Sequence, residues 1–288
     1  MQLKPTLAII GGSGLYDMPD LQEVQVHDVE TPFGKPSAPI IVGILEGRSL
    51  AFLARHGEGH HIAPSEVNYR ANIYALNQLG AQRVVSISAC GSLREDYVPG
   101  DIVIPDQLFD FTRGRERSFF GEGFVAHISV ADPFCPELSG LILEATQATG
   151  ARVHQGGVFI TIEGPRFSTR AESNVYRSWG MSLIGMTTSP EAYLAREAEL
   201  CYGVMAHVTD YDVWHISEEP VTVDRVIEIL NRNTETAQQA VRNLARSLPE
   251  DRACECESAL ATALITRPDV IPAETRQKLG LLVDRYLR

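Results

Sequence analysis

An α/β fold, a sheet with helices on both faces, follows from three observations. Apolar runs of strand length alternate with helical patterns along most of the 288 residues, as in a sheet covered on both sides. The strand-like runs end in glycines, an Arg-His pair, hydroxyls and carboxylates, and in open α/β sheets the residues past the strands' carboxyl ends face the ligand crevice. No Pro/Ser/Gly-rich linker or internal repeat divides the chain, so one large domain with a C-terminal appendage is expected.

The elements follow in order. Leu7 to Ile10 reads as a strand ending at Gly11-Gly12-Ser13-Gly14, and Pro39 to Leu45 and Leu50 to Ala54 as two more, the latter ending at Arg55-His56-Gly57. Ser65 is the expected cap of a helix running through Tyr69, Ile73 and Leu76 to Gly80, with Glu66 in its first turn. Arg83 to Ser88 is β-rich and ends at Ala89-Cys90-Gly91-Ser92. A helix over Pro136 to Gly150 and a strand over Gly156 to Ile162 follow, the strand running into Glu163-Gly164-Pro165-Arg166-Phe167. Next come a helix over Arg170 to Trp179, a short strand over Ser182 to Gly185 ending in Met186-Thr187-Thr188, and a helix opened by Pro190. A strand then closes on Asp210-Tyr211-Asp212. An amphipathic helix over about Val223 to Leu248 carries Val226, Ile229, Leu230, Ala237, Ala240, Val241 and Leu244 on one face. The tail holds two short helical patterns, Ala259 to Ile265 and Glu274 to Leu287, expected to dock on the core or on a neighbouring subunit.

Composition narrows the function. A net charge of -12 without a basic cluster argues against a nucleic-acid partner, while leaving room for a small anion held by a few cations. No apolar run reaches the roughly 18 residues of a membrane span, and the first residues lack a signal-peptide core, so a cytoplasmic protein is expected. The five cysteines are too few and scattered for a disulfide framework. Cys90, Cys135 and Cys201 read as buried inert thiols and the Cys254-x-Cys256 pair as two free surface thiols; with no further ligands obvious nearby, no metal site is expected.

Two chemistries meet at the predicted strand ends. The Gly-Ser turn matches neither a dinucleotide fingerprint nor a P-loop, and is explained as well by a tight turn as by an anion nest with the Ser13 hydroxyl adding a donor. Arg55 offers a bidentate fork and His56 a second donor for a tetrahedral anion, with Ser88, Ala89 and Thr187 as further hydroxyl and amide donors. His60 and His61 read as a surface loop. Phe167, on a Gly-Pro turn, suits a flat ring or the core; Met186 suits a sugar or ring; Glu163 and Arg166 pair or reach a ligand; His127 fits a structural histidine. Asp210 and Asp212, one residue apart, can hydrogen-bond or protonate a heterocycle with ring nitrogens and an amine, and equally fit a solvated Asp-rich turn.

Taken together, Gly11-Gly12-Ser13-Gly14-Leu15, Thr31-Pro32-Phe33-Gly34-Lys35-Pro36-Ser37, Arg55-His56-Gly57, Asn68-Tyr69, Ala89-Cys90-Gly91-Ser92-Leu93-Arg94-Glu95, Pro99-Gly100-Asp101-Ile102-Val103, Glu163-Gly164-Pro165-Arg166-Phe167-Ser168 and Asp210-Tyr211-Asp212 resemble the methylthioadenosine phosphorylases of the trimeric purine nucleoside phosphorylase family, over roughly Leu7 to Leu248. The Glu-Gly-Pro-Arg-Phe run with the Asp-x-Asp pair is specific; the Gly-Ser turn alone is not.

The resemblance implies a three-layer α/β domain with a mixed central sheet over residues 1–250 and a C-terminal helical extension over 251–288. It implies a phosphate cradle of Ser13, Arg55, His56, Ser88, the Ala89 backbone and Thr187, with Phe167 stacked on a purine, Met186 under the ribose and His127 lent to a neighbouring subunit's site in a homotrimer. Asp210 would face N7 and the 6-position as the catalytic residue, with Asp212 supporting the 6-amino group. The implied reaction is phosphorolysis of S-methyl-5′-thioadenosine, with phosphate as co-substrate and no cofactor. A phosphorylase for 6-oxopurine nucleosides or methylthioinosine is the alternative, for which an amide is expected in place of Asp210; a nucleosidase would leave Arg55-His56 surplus, and a non-catalytic nucleoside-binding protein would not need the full set of phosphate donors. Ser13, where other members carry Thr, and the variable tail are the departures.

Overall fold

The apolar run Leu7–Gly11 is buried at every residue and forms the first strand, β1, near the middle of the sheet. The computed structural model describes residues 3–12, 14, 15, 18–215 and 223–287, with the backbone alone for 224–232. The next strands are β2 (Gln22–His27), β3 (Ile40–Leu45) and β4 (Arg48–Ala54), followed by helix α1 (Tyr69–Leu79) and strands β5 (Arg83–Ser92), β6 (Ile102–Ile104) and β7 (Gln107–Phe111). Helix α2 (Pro136–Gln147), strands β8 (Val153–Gln155) and β9 (Val158–Ile162), helix α3 (Arg170–Ser178), strand β10 (Leu183–Gly185) and helix α4 (Thr188–Glu197) follow. Strand β11 (Cys201–Asp210), the long helix α5 (Val223–Ser247) and α6 (Ala273–Val283) complete the order.

The sheet is mixed. β1 lies between β4 and β5, parallel to both, and β3 and β2 extend the β4 side in antiparallel fashion. Beyond β5 the sheet forks. β11 runs parallel along Arg83 to Gly91, whereas β10 pairs antiparallel with Gly91 and Ser92 at the strand's end. β9 and β7 continue from β10; β6 and β8 continue from β11. Helices α1, α4 and α6 bury apolar residues against one face, α2 and α5 against the other, giving the expected three layers. The carboxyl ends of β1, β4, β5 and β11 thus meet where the sheet divides.

Several expectations change. Asn68, not Ser65, caps α1, accepting from Ala71 N–H at 3.1 Å, so Glu66 precedes the helix. Asn68 and Asn72 also reach back to Phe33 and Ser37, which explains why the Thr31–Ser37 turn and the Asn68-Tyr69 pair go together. β2, β6, β7 and β8 were not expected, and the run over 156–162 becomes a strand only from Val158. Ala259 to Ile265 is turn rather than helix, after a 3-10 turn at Glu255–Ser258. The extension packs on its own chain, with Leu260, Leu279, Leu282 and Val283 in the main core. Cys256 is buried, not a surface thiol, and Cys254 is half-buried. The expected face of α5 is buried at Ala237, Ala240, Val241 and Leu244; Val226, Ile229 and Leu230 lie outside the described side chains. No helix among the described residues is long and apolar enough to cross a membrane.

Candidate active site

A cavity of about 590 Å³ opens at the fork, and its wall collects most of the residues singled out in sequence. Arg55 and His56 enter from the end of β4, Ser88, Ala89 and Gly91 from β5, Phe167 and Ser168 from the loop after β9, Met186 and Thr187 from the β10–α4 junction, and Asp210 and Asp212 from the end of β11. Asn233, Thr234 and Ala237 of α5 close another wall. Ser13 lies outside the described residues. His127 is exposed and does not line its own chain's cavity; its N–H bonds to Ala263 of the extension at 2.8 Å.

The Arg55 side differs from expectation. Its guanidinium is not an open fork: Nε and Nη2 meet the two oxygens of Glu191 at 2.9 and 3.1 Å, and Nη2 also donates to Ser86 Oγ at 2.6 Å. Glu191 is 0% exposed and accepts a third bond from Tyr202. Among the described residues, Nη1 makes only a long contact, 3.5 Å to the Ile87 carbonyl, and so is the guanidinium nitrogen left for a ligand. The Ser86 hydroxyl links onward to Ser88 at 3.2 Å.

His56 is an acceptor rather than a second donor. Burial, reinforced by the Arg55 charge, pushes its pKa down to about 4, so the ring is neutral at pH 7. Its Nδ1 faces the Ile62 carbonyl at 2.8 Å and must donate, which leaves Nε2 with a lone pair. Such a nitrogen can receive the hydrogen of a monoprotonated phosphate. His60 stacks on His56 at 4.3 Å and reaches the cavity, whereas His61 stays on the exposed loop. Thr187 stands at the N-cap of α4 without making a capping bond, so its hydroxyl remains for an anion; the backbone is extended at Ser189, whose N–H donates to Thr161 Oγ1 at 3.2 Å, and Pro190 carries no N–H.

The acid pair is held by a break in register. β11 shifts against β5 between Val208 and Asp210, a bulge that re-aims the strand end beside Gly91. A Cβ on Gly91 would lie 3.0 Å from Asp210 Oδ1, so glycine gives the carboxylate its place. Asp210 accepts from Thr209 Oγ1 at 2.6 Å and from Asp212 N–H at 2.7 Å. Asp212 adopts a left-handed backbone, φ 52°, a conformation Asp tolerates better than most residues. Burial, with the neighbouring Asp210 charge, pushes the Asp212 carboxyl up to about 6. The hydroxyls of Ser173 and Ser168 stand beside this carboxyl and oppose the rise, without cancelling it.

Three residues were not found in sequence. Arg115, 7% exposed, donates to Glu163 Oε1 and to the carbonyls of Glu163, Met186 and Ser189, pinning both loops that carry Phe167 and Met186. Glu163 therefore pairs with Arg115, and Arg166 with Glu172 of the α3 capping box; the two do not pair with each other. Glu191 orients Arg55. His207 lies in the cavity wall at 1% exposure, held neutral by burial with a pKa of about 4, and neither ring nitrogen has a partner among the described residues. The loop approach is close: a Cβ on Gly164, at φ +66°, would meet Met186 Sδ at 2.6 Å.

Residues 6–246 match the family model described as the phosphorylase superfamily. An S-methyl-5′-thioadenosine phosphorylase of Geobacter sulfurreducens is 53% identical over 99% of this chain and 100% of its own. One from Koribacter versatilis is 52% identical over 99% and 97%. Among solved structures, a methylthioadenosine phosphorylase from an antarctic soil metagenomic library superposes with a TM-score of 0.92 at 45% identity, covering 98% of this chain and all of the other. A mutant adenosine/methylthioadenosine phosphorylase from Schistosoma mansoni, in complex with methylthioadenosine, gives 0.83 at 37% identity over 90% and 96%.

Proposed function

The chain belongs to the phosphorylase superfamily, and from that membership we propose that it carries out phosphorolysis of S-methyl-5′-thioadenosine to adenine and S-methyl-5-thio-α-D-ribose 1-phosphate. The observation that carries this reading is one cavity joining the Arg55, His56 and Thr187 cluster to the Asp210–Asp212 pair.

Phosphate sits against Arg55 Nη1, the Ser88 hydroxyl, the Ala89 N–H and the Thr187 hydroxyl, with His56 Nε2 accepting its remaining hydrogen. One phosphate oxygen bonds to C1′ as the C1′–N9 bond breaks, and the electron pair of that bond passes into the purine. Phe167 stacks on the leaving base, and Met186 packs under the ribose. Asp210 and Asp212 act as one unit that delivers a proton toward N7 and accepts hydrogen bonds from the 6-amino group. Covering the pair with a purine removes water and favours its protonated form. A 6-oxo base would set oxygen against carboxylate, which favours 6-aminopurine nucleosides.

His127, exposed and outside its own cavity, serves a neighbouring subunit's site in a homotrimer. Phosphate is a co-substrate and no further cofactor takes part; the protein works in the cytoplasm. Initial rates of adenine release with and without phosphate test the reading. Release that depends on phosphate is the expected result; equal release without it would mean a nucleosidase.

A further inference from the structure

The C-x-C pair, which the sequence leaves without partners, acquires two. Cys135 caps α2, Cys201 opens β11, and Cys254 and Cys256 stand at the start of the extension's 3-10 turn. All four sulfur atoms lie within 4.8 Å of one another, with Cys201 and Cys254 at 3.3 Å. Cys135 and Cys201 are 1% exposed and Cys256 2%. None of the four lines the nucleoside cavity.

Two disulfides would require only two short pairs. Here all six sulfur–sulfur distances are short together, none above 4.8 Å. Zinc bound to four thiolates at about 2.3 Å has corners about 3.8 Å apart, between the 3.3 Å of the Cys201–Cys254 pair and the 4.8 Å outer limit of the cluster, so small shifts of the sulfurs in both directions would close the shell. The surroundings suit the charge of a tetrathiolate. Leu138 N–H, in the first turn of α2, donates to Cys135 Sγ at 3.5 Å, and Arg196 Nη1 donates to Cys256 Sγ at 3.5 Å. Both are outer-shell donors to would-be ligand sulfurs, and the positive end of α2 adds to them.

We propose that Cys135, Cys201, Cys254 and Cys256 form a closed structural site for a divalent zinc-class ion that fastens the extension to α2 and β11. Four protein ligands leave no open position, so the site stabilises and does not catalyse. Binding releases the thiol protons and exchanges four packed thiols for one cross-link between the C-terminal segment and the sheet. The expectation of no metal is revised accordingly. The proposal stands apart from the phosphorolysis reading, since the cluster and the cavity share no residue.

The test is the zinc content of the full-length protein, expressed with added zinc and purified under reducing conditions. About one zinc per chain is expected, released when a mercurial blocks the thiols and read with a metallochromic dye. Cys254→Ser/Cys256→Ser should lower the content at least about tenfold, and cobalt bound in place of zinc should show intense thiolate-to-cobalt absorption. Zinc-free wild-type protein with all thiols titratable would overturn the proposal. So would an intact mass four hydrogens lighter under non-reducing conditions, or zinc retained by the double variant.

Discussion

The two halves of the cavity are built on opposite principles. On the phosphate side the decisive charge is satisfied from within: Arg55 is clamped by Glu191, Ser86 and two backbone carbonyls before any ligand arrives. On the base side the polar groups are less well satisfied: neither His207 ring nitrogen has a partner among the described residues, and burial outweighs the neighbouring Ser173 and Ser168 hydroxyls in raising the Asp212 carboxyl. The first arrangement fixes a donor in one place. The second stores unfavourable burial that a hydrogen-bonding ligand can relieve, and that keeps an acid near its working range. In the proposed reaction, positioning and proton transfer thereby fall to separate walls.

The largest effect that would break this contrast is at Glu191. Glu191→Ala leaves Arg55 charged and buried without its counter-ion and should cost about 3–5 kcal/mol of stability, measured by urea unfolding. A cost under about 1 kcal/mol would mean that the clamp is dispensable.

The base side predicts the reverse sign. The Asp212 carboxyl is raised from an ordinary 3.8 to about 6, so the unfolded chain gives up its proton at lower pH than the folded one. The stability tied to this proton is present below about pH 4 and lost as pH rises through about 6. Asp212→Asn should therefore stabilise the ligand-free protein at pH 8, by up to about 2 kcal/mol, while slowing turnover. The gain should shrink as pH falls from 8 to 5. A loss of stability at pH 8 would show that the site holds no such strain.

The smallest effect is local. Gly164→Ala places a Cβ at φ +66° and against Met186 Sδ, a strain of about 1–3 kcal/mol. The expected outcome is a several-fold higher KM for nucleoside with KM for phosphate unchanged. Equal changes in both constants would contradict the division of the cavity.

The ligand edge of the sheet was legible because its strands are buried apolar runs that end in abrupt chemical punctuation, as Leu50–Ala54 before Arg55-His56. β2 was not, since its mostly exposed Gln-Glu-Val-Gln-Val-His run carries no buried face, and β6 and β8, three residues each, are too short to show a period. The donors of the site were legible, but not what they were already bonded to. Glu191 sits 136 residues from Arg55, and Arg115 lies in a loop 48 residues before Glu163, where a charged side chain reads as solvated surface. The direction of His56 could not be read either, because its role as acceptor depends on the Ile62 carbonyl. The sulfur cluster was invisible for the same reason: Cys201 and Cys254 are 53 residues apart and join only through the fold.

The most direct test of separate walls is the ratio of kcat/KM for methylthioadenosine to that for methylthioinosine, in the wild-type protein and in Asp210→Asn. General-acid help is typically worth roughly 10²–10⁴-fold. The variant is expected to lose at least about 10²-fold on the 6-amino substrate, to narrow or invert the ratio, and to keep its KM for phosphate. Equal losses on both substrates, with the ratio unchanged, would contradict separate walls.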